Sequence, residues 1–286
     1  MIISVSRRTD IPAFYSDWFF NRLKDGRVYV KNPMNTKQIS SIKLDKTSVD
    51  CFVFWTKNPK PMISRLDELA GYDYYFQFTI TPYGSEVEKN IYNKKEIVKT
   101  FKELSEKIGA ERVILRYDPI FLSRKYTIDY HVRAFEKLLS KLHNYTKTCV
   151  ISFIDIYKKT ARNTKDLNLV AMKYSYIYEI AEKFSSIAQK YGIEMQTCSE
   201  GYDLSRYGIN KGKCIDDELI SKISGYRINA KKDDTQREVC GCVKSIDIGQ
   251  YNTCLHNCLY CYANYNFEMV KENYKKHKKD GMMLVG

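Results

Sequence analysis

Three cysteines, Cys254, Cys258 and Cys261, fall within one short stretch, Cys-Leu-His-Asn-Cys-Leu-Tyr-Cys. Three thiolates on one tight loop can hold three corners of a cubane 4Fe–4S cluster, which four cysteine thiolates normally close. With three ligands, one iron stays open to a substrate or cofactor. The same logic separates catalytic from structural zinc sites. Two other readings stand beside this one. Structural zinc wants four ligands, and His256, Cys240 and Cys242 are the nearest extras. The three thiols could also be unrelated. Softness does not choose between the metals, since both accept thiolates. His256 lies on a turn and is expected to face solvent rather than a metal.

A second group is looser in sequence: Cys198, Cys214, Cys240 and Cys242. Four thiolates could close a second 4Fe–4S cluster with no open iron. They fit all-cysteine tetrahedral zinc equally well. Gly241 between Cys240 and Cys242 permits a sharp turn. Cys198 could instead face substrate as a hydrogen-atom donor or thiolate. Cys51 and Cys149 sit in apolar runs and read as small core residues.

Composition narrows the class. Hydrophobic residues make up 44% of the 286-residue chain, enough for a real core. No apolar run is long enough to span a membrane, and the start lacks the order of a signal peptide. A cytoplasmic protein without a membrane partner is expected. In that compartment many cysteines argue for metal or redox chemistry, not a disulfide framework. The net charge of +13 would favour a polyanion. The lysines are scattered, however, so small-molecule and nucleic-acid substrates both stay open.

The elements that must position these groups are legible from periodicity. Short β-branched or aromatic runs predict strands at Ile2–Ser6, Cys51–Trp55, Tyr74–Ile80, Arg112–Arg116, Cys149–Phe153, Glu194–Thr197 and Ser245–Ile248. Helical spacing predicts helices over Pro12–Lys24, Lys94–Ile108, Thr127–Leu142, Ser175–Tyr191 and Ala263–Lys275. This alternation implies an α/β protein with a parallel sheet, a full or partial (β/α) TIM-like barrel. Residues 1–200 plus 244–286 would form the barrel. The less periodic stretch 201–243 would be a cysteine-bearing insertion, part of the second metal site.

Ligands gather at the C-terminal ends of barrel strands. Candidates there are Arg7, Arg8 and Asp10 after the first strand, Arg116 and Asp118 after the fourth, and Asp155 after the fifth. At Cys254, Cys258 and Cys261, with Tyr260 just before the last cysteine, the chain resembles the radical S-adenosylmethionine (SAM) enzymes. That resemblance implies one 4Fe–4S cluster, or two with the second group. It also implies SAM on the open iron, reductive cleavage to a 5′-deoxyadenosyl radical, and a reductant such as flavodoxin or ferredoxin.

Arg7, Arg8 or Arg116 would take the SAM carboxylate, since a guanidinium fork binds both oxygens. Asp10 or Asp155 would take the ammonium or ribose, and Asp118 joins the cofactor-binding set beside Arg116. Tyr260 would pack by cluster and adenine. In most of that superfamily the loop follows the first strand. Here it is C-terminal, which implies a permuted barrel with the 245–248 strand beside Ile2–Ser6. The spore photoproduct lyases have a similar cysteine-aromatic run, in that loop alone. Over nearly its full length, from Ser4-Val5-Ser6-Arg7-Arg8-Thr9-Asp10 onward, the chain also resembles a bacterial domain-of-unknown-function family with this C-terminal motif.

Overall fold

In a strand, successive side chains point to opposite faces. Here that rule builds two different layers on one sheet. The computed structural model describes residues 1–35, 37–91 and 93–286. Its central strands are β1 (Ile2–Val5), β4 (Cys51–Thr56), β5 (Tyr74–Thr79), β6 (Val113–Ile120), β7 (Thr148–Phe153) and β8 (Glu194–Thr197), with β9 (Ile209–Lys211) and β10 (Ile246–Asp247) at the edges. β2 (Arg27–Lys31) and β3 (Ile39–Lys43) form a separate antiparallel hairpin.

On one face Ile3, Phe52, Phe54, Phe76, Phe78, Leu115 and Ile151 are buried in the main core. They meet apolar stripes of the long helices: Phe19 of α2 (Ser16–Lys24), Phe101 of α4 (Lys94–Ile108), Phe135 of α5 (Ile128–Leu142), and Phe184 of α7 (Tyr174–Lys190). Phe135 and Phe184 stack with centroids 4.0 Å apart. On the other face Ile2, Cys51, Val53, Tyr75, Ile114 and Val150 form a second cluster with Ile215, Ile220 and Val243. A sheet covered on both faces suits parallel strands. Cys51 and Cys149 are fully buried, one on each face.

The eight-stranded sheet runs β10-β1-β4-β5-β6-β7-β8-β9, with every ladder parallel. β10 lies beside β1, with Ile3 opposite Ile246 and Ser4 opposite Asp247. The C-terminal strand is therefore next to the N-terminal one, where the expected permutation needs it. Closure into a full barrel is not found among the described residues: β9 and β10 are the two edges of the sheet. They are three and two residues long, which leaves few backbone groups to pair.

The 201–243 stretch is woven into this architecture. It supplies β9 and α8 (Asp217–Ser224), and its Cys214 carbonyl accepts from Tyr75 Oη at 2.7 Å and Gln77 Nε2 at 3.0 Å. The expected helix over Pro12–Lys24 is two pieces, α1 (Ile11–Phe14) and α2. Tyr15 between them has φ −135° and ψ 23°, outside helical geometry. The last helix, α9 (Phe267–Lys276), starts four residues later than periodicity suggests, at the Asn266 N-cap. The residues before it are held by the cysteine loop. No helix among those described is long and apolar enough to cross a membrane.

Candidate metal and cofactor site

β10 ends at Asp247, and the chain turns across the C-terminal edge of β1. Gly249 is required there, because a Cβ would meet Ser6 Oγ at 2.1 Å. The cysteine loop follows. Its backbone is tied on several sides: Asn90 Nδ2 donates to Leu255 O at 2.7 Å, Leu259 N to Val87 O at 2.9 Å, and Tyr15 Oη to Thr253 O at 2.6 Å. Asn264 Nδ2 donates to Cys254 O at 2.8 Å. Cys254, Cys258 and Cys261 are half-buried free thiols. Burial pushes all three up, opposed at Cys258 and Cys261 by the Lys57 ammonium. They would ionise for a bound cation, which favours the thiolate form. The Ala263 amide donates to Cys261 Sγ at 3.3 Å, a bond that suits a thiolate.

His256 is a correction. It is buried, not solvent-facing: its Nε2 pairs with Asp10 Oδ2 at 2.7 Å, and the Phe14 ring lies 4.6 Å away. Asp10 is heavily engaged. Its carboxylate also accepts from Ala13 N at 2.9 Å and Lys57 N at 2.7 Å, capping α1 and tying β1 to β4. It is absent from the cleft wall described below. With His256 held by Asp10, the loop presents three thiols. That donor set fits a cluster with one open iron.

Glu88 was not singled out from sequence. It is fully buried beneath the loop and bridges to Cys258 through the backbone. Its carboxylate accepts from Lys57 Nζ at 2.8 Å and Thr81 Oγ1 at 2.7 Å, and from Lys94 and Tyr260 Oη. Burial pushes Glu88 up, but the two ammonium groups win and hold it at about 2. Tyr260 thus hangs from Glu88 by its hydroxyl, while its ring packs 5.8 Å from that of Tyr83. Asp247 was also passed over, being inside a predicted strand. It accepts from Ser4 Oγ at 2.9 Å, Ser6 Oγ at 2.6 Å and Arg7 N at 2.8 Å, so it organises the turn carrying both arginines.

A cleft of about 500 Å³ opens at the C-terminal ends of the strands. Strand parity builds its wall. Trp55, Arg116 and Ser152 lie two positions beyond Val53, Ile114 and Val150 of the second cluster, and Thr79 four beyond Tyr75; all line it, as does Cys198 after β8. Arg7, Arg8, Asp118, Asp155, Tyr260, Cys261 and Tyr262 line it too.

The charged candidates are partly paired. Arg116 bonds Asp118 and stands 5.2 Å over the Trp55 ring. Asp155 pairs with Arg237 at 2.6 Å. Arg7 Nη2 reaches Ser245 Oγ at 3.2 Å, and Arg8 lies 5.4 Å over Tyr251. The buried Trp55 Nε1–H has no acceptor among the described residues. Glu200 accepts from Phe153 N at 2.7 Å, and burial pushes its carboxyl up to about 7.

The four looser cysteines meet in the same cleft. Cys198 Sγ and Cys214 Sγ are 3.0 Å apart. Cys242 Sγ accepts from the backbone N–H of Cys214 at 3.3 Å and of Ile215 at 3.4 Å. Arg116 Nη1 donates to Cys214 Sγ at 3.0 Å. Among the described residues no three Cys, His, Asp or Glu side chains surround one point as a single ion requires. Instead, Cys198 and Cys214 are paired, and Cys242 lies against the Cys214–Ile215 backbone.

No curated protein matches the sequence. Among solved structures, the chain is similar to one described as a "putative alpha-L-fucosidase" from Bacteroides thetaiotaomicron. That similarity has 10% identity and a TM-score of 0.28, over 81% of this chain and 85% of the other. One family covers residues 2–263, a span that takes in the whole sheet, the cleft and all nine cysteines. The chain belongs to the family described as Domain of unknown function (DUF1848).

Proposed function

We propose that this protein is a radical SAM enzyme whose substrate binds in the cleft at the C-terminal ends of the sheet. The observation that carries the reading is the donor set of the loop. Three free thiols lie on one loop, His256 is withdrawn onto Asp10, and Cys261 and Tyr260 line the cleft. A 4Fe–4S cluster at Cys254, Cys258 and Cys261, when bound, supplies the electron for reductive cleavage of SAM.

The remaining tasks fall to this chain. Arg7, Arg8 or Arg116 would bind the SAM carboxylate, and Asp118 or Asp155 the ammonium or ribose. Asp118 and Asp155 would exchange present ion pairs for the ligand. Trp55 Nε1–H offers a free donor. Tyr260, anchored to Glu88, would form a wall for the adenine. In this reading the open sheet is a partial barrel with its first βα unit placed last, and the electron comes from a small carrier such as flavodoxin or ferredoxin.

The test is anaerobic reconstitution with iron and sulfide, then electron paramagnetic resonance of the dithionite-reduced protein with and without SAM. The expected result is a cluster signal that SAM alters, with 5′-deoxyadenosine formed. Both should be lost in Cys258→Ala. A reduced cluster blind to SAM, or loop cysteines that take zinc under reconstitution, would overturn the proposal.

A further inference from the structure

We propose that Cys198, Cys214, Cys240 and Cys242 form a second metal centre, one Zn²⁺ ion held by four thiolates in the wall of the cleft. The proposal is independent of the chemistry at the cysteine loop. Its first support is convergence. Cys198 follows β8, Cys214 follows β9, and Cys240 and Cys242 sit nearly thirty residues further on, yet all four line one cleft, with Cys198 Sγ 3.0 Å from Cys214 Sγ and Cys242 Sγ against the Cys214 and Ile215 amides. Nothing in local spacing forces this, so the fold has brought the thiols together.

The second support is size. Zinc–sulfur bonds of about 2.3 Å set neighbouring sulfurs roughly 3.7 Å apart in a tetrahedron. Cys198 and Cys214 at 3.0 Å are already inside that spacing. A cubane would hold each sulfur on a different iron, with the body of the cluster between them, so this pair would have to part much further. For one ion it is Cys240 and Cys242 that must close on this pair, and Gly241 gives their turn the freedom to do so.

The third support is the surroundings of the sulfurs. Arg116 Nη1 donates to Cys214 Sγ at 3.0 Å, a cation placed to offset the negative charge that four thiolates leave around a divalent ion. The backbone N–H groups of Cys214 and Ile215 on Cys242 Sγ are the outer bonds that orient a thiolate ligand. The ion would clamp the 212–243 stretch to the end of β8 and fix one wall of the cleft.

The experiment is zinc, iron and sulfide analysis of the full-length protein, purified anaerobically from medium supplied with both metals. Two variants accompany the wild type: Cys240→Ser/Cys242→Ser, and the loop triple Cys254→Ala/Cys258→Ala/Cys261→Ala. The expected result is about one zinc per chain in the wild type and in the loop triple, and at least a tenfold loss in the Cys240/Cys242 double. In case the double variant does not fold, Co²⁺ is titrated into metal-stripped wild type, where thiolate-to-cobalt charge-transfer absorption saturating at one equivalent is expected. Iron with sulfide retained in the loop triple would overturn the proposal in favour of a second cluster. A Cys198–Cys214 disulfide by mass, or wild type free of zinc and silent to Co²⁺, would overturn it outright.

Discussion

Glu88 has no route to water, yet it is ionised, because two lysines, a threonine and Tyr260 meet its two oxygens. Removing one member of such a buried group leaves the others uncompensated, at a cost of about 3–5 kcal/mol. Glu88→Gln keeps the shape and removes the charge. Its unfolding free energy in urea is expected to fall by an amount in that range, whereas Thr81→Ala, losing one hydrogen bond, should lose only about 1 kcal/mol. Equal effects of the two variants would show that the charge cluster is not what holds the loop. Neither Glu88 nor the His256–Asp10 pair was visible in the sequence. A lone glutamate between apolar residues carries no pattern, and a histidine on a turn usually faces water. Only the approach of residues 84–91, Asp10 and Phe14 to the cysteine loop makes both interior.

Among the elements, α5 carries a buried titratable group on its core face. His131 Nδ1 meets Tyr117 Oη at 2.9 Å and Nε2 meets Phe121 O at 2.9 Å, with no side-chain exposure. Burial pushes it down to about 4 from the usual 6.5. The unfolded chain therefore binds this proton first as pH falls. The stability is fully present above pH 6.5 and is lost progressively between 6.5 and 4. At 1.36 kcal/mol per unit the loss is about 3 kcal/mol. Urea titrations across that window should show this decline in wild type, and His131→Gln should flatten it. An unchanged slope in the variant would place the acid sensitivity elsewhere. The apolar stripe of α5 was legible, and so were α4 and α7, because a 3.6-residue period over four turns is a strong signal. The β2–β3 hairpin and β9 were missed. β3 and β9 are largely exposed and β2 is mostly half-buried, so no alternating burial pattern marks them.

At the scale of the whole molecule, the stretch 212–243 turns one bare face of a parallel sheet into a core and a cleft. Ile215 and Ile220 pack on it, fully buried, while Tyr75 and Gln77 grip the Cys214 carbonyl. Ile215→Ala should cost about 2–5 kcal/mol through lost burial and the cavity left behind. It should also open the 225–243 region to limited proteolysis before the rest of the chain. Cleavage that begins instead in the helical layer would show that this stretch does not depend on its inner-face packing.

Sequence alone determined whatever rests on local period and short spacing: most strands of the parallel sheet, the long helices, the three-cysteine loop, and the strand ends that line the cleft. Such features are written within ten or fifteen residues, where backbone geometry dictates which side chains share a face. Tertiary structure decided what depends on contacts between remote segments. It kept the sheet open at β9 and β10, set β10 against β1, and hid His256 on Asp10. It also made Asp247 the hub of the Arg7–Arg8 turn, and it brought Cys198, Cys214, Cys240 and Cys242 to one cleft. The expected permutation already sets residues 245–248 beside Ile2–Ser6, and the four cysteines already form a group in the sequence, but no local pattern encodes the contacts themselves, because each depends on how the whole chain closes on itself.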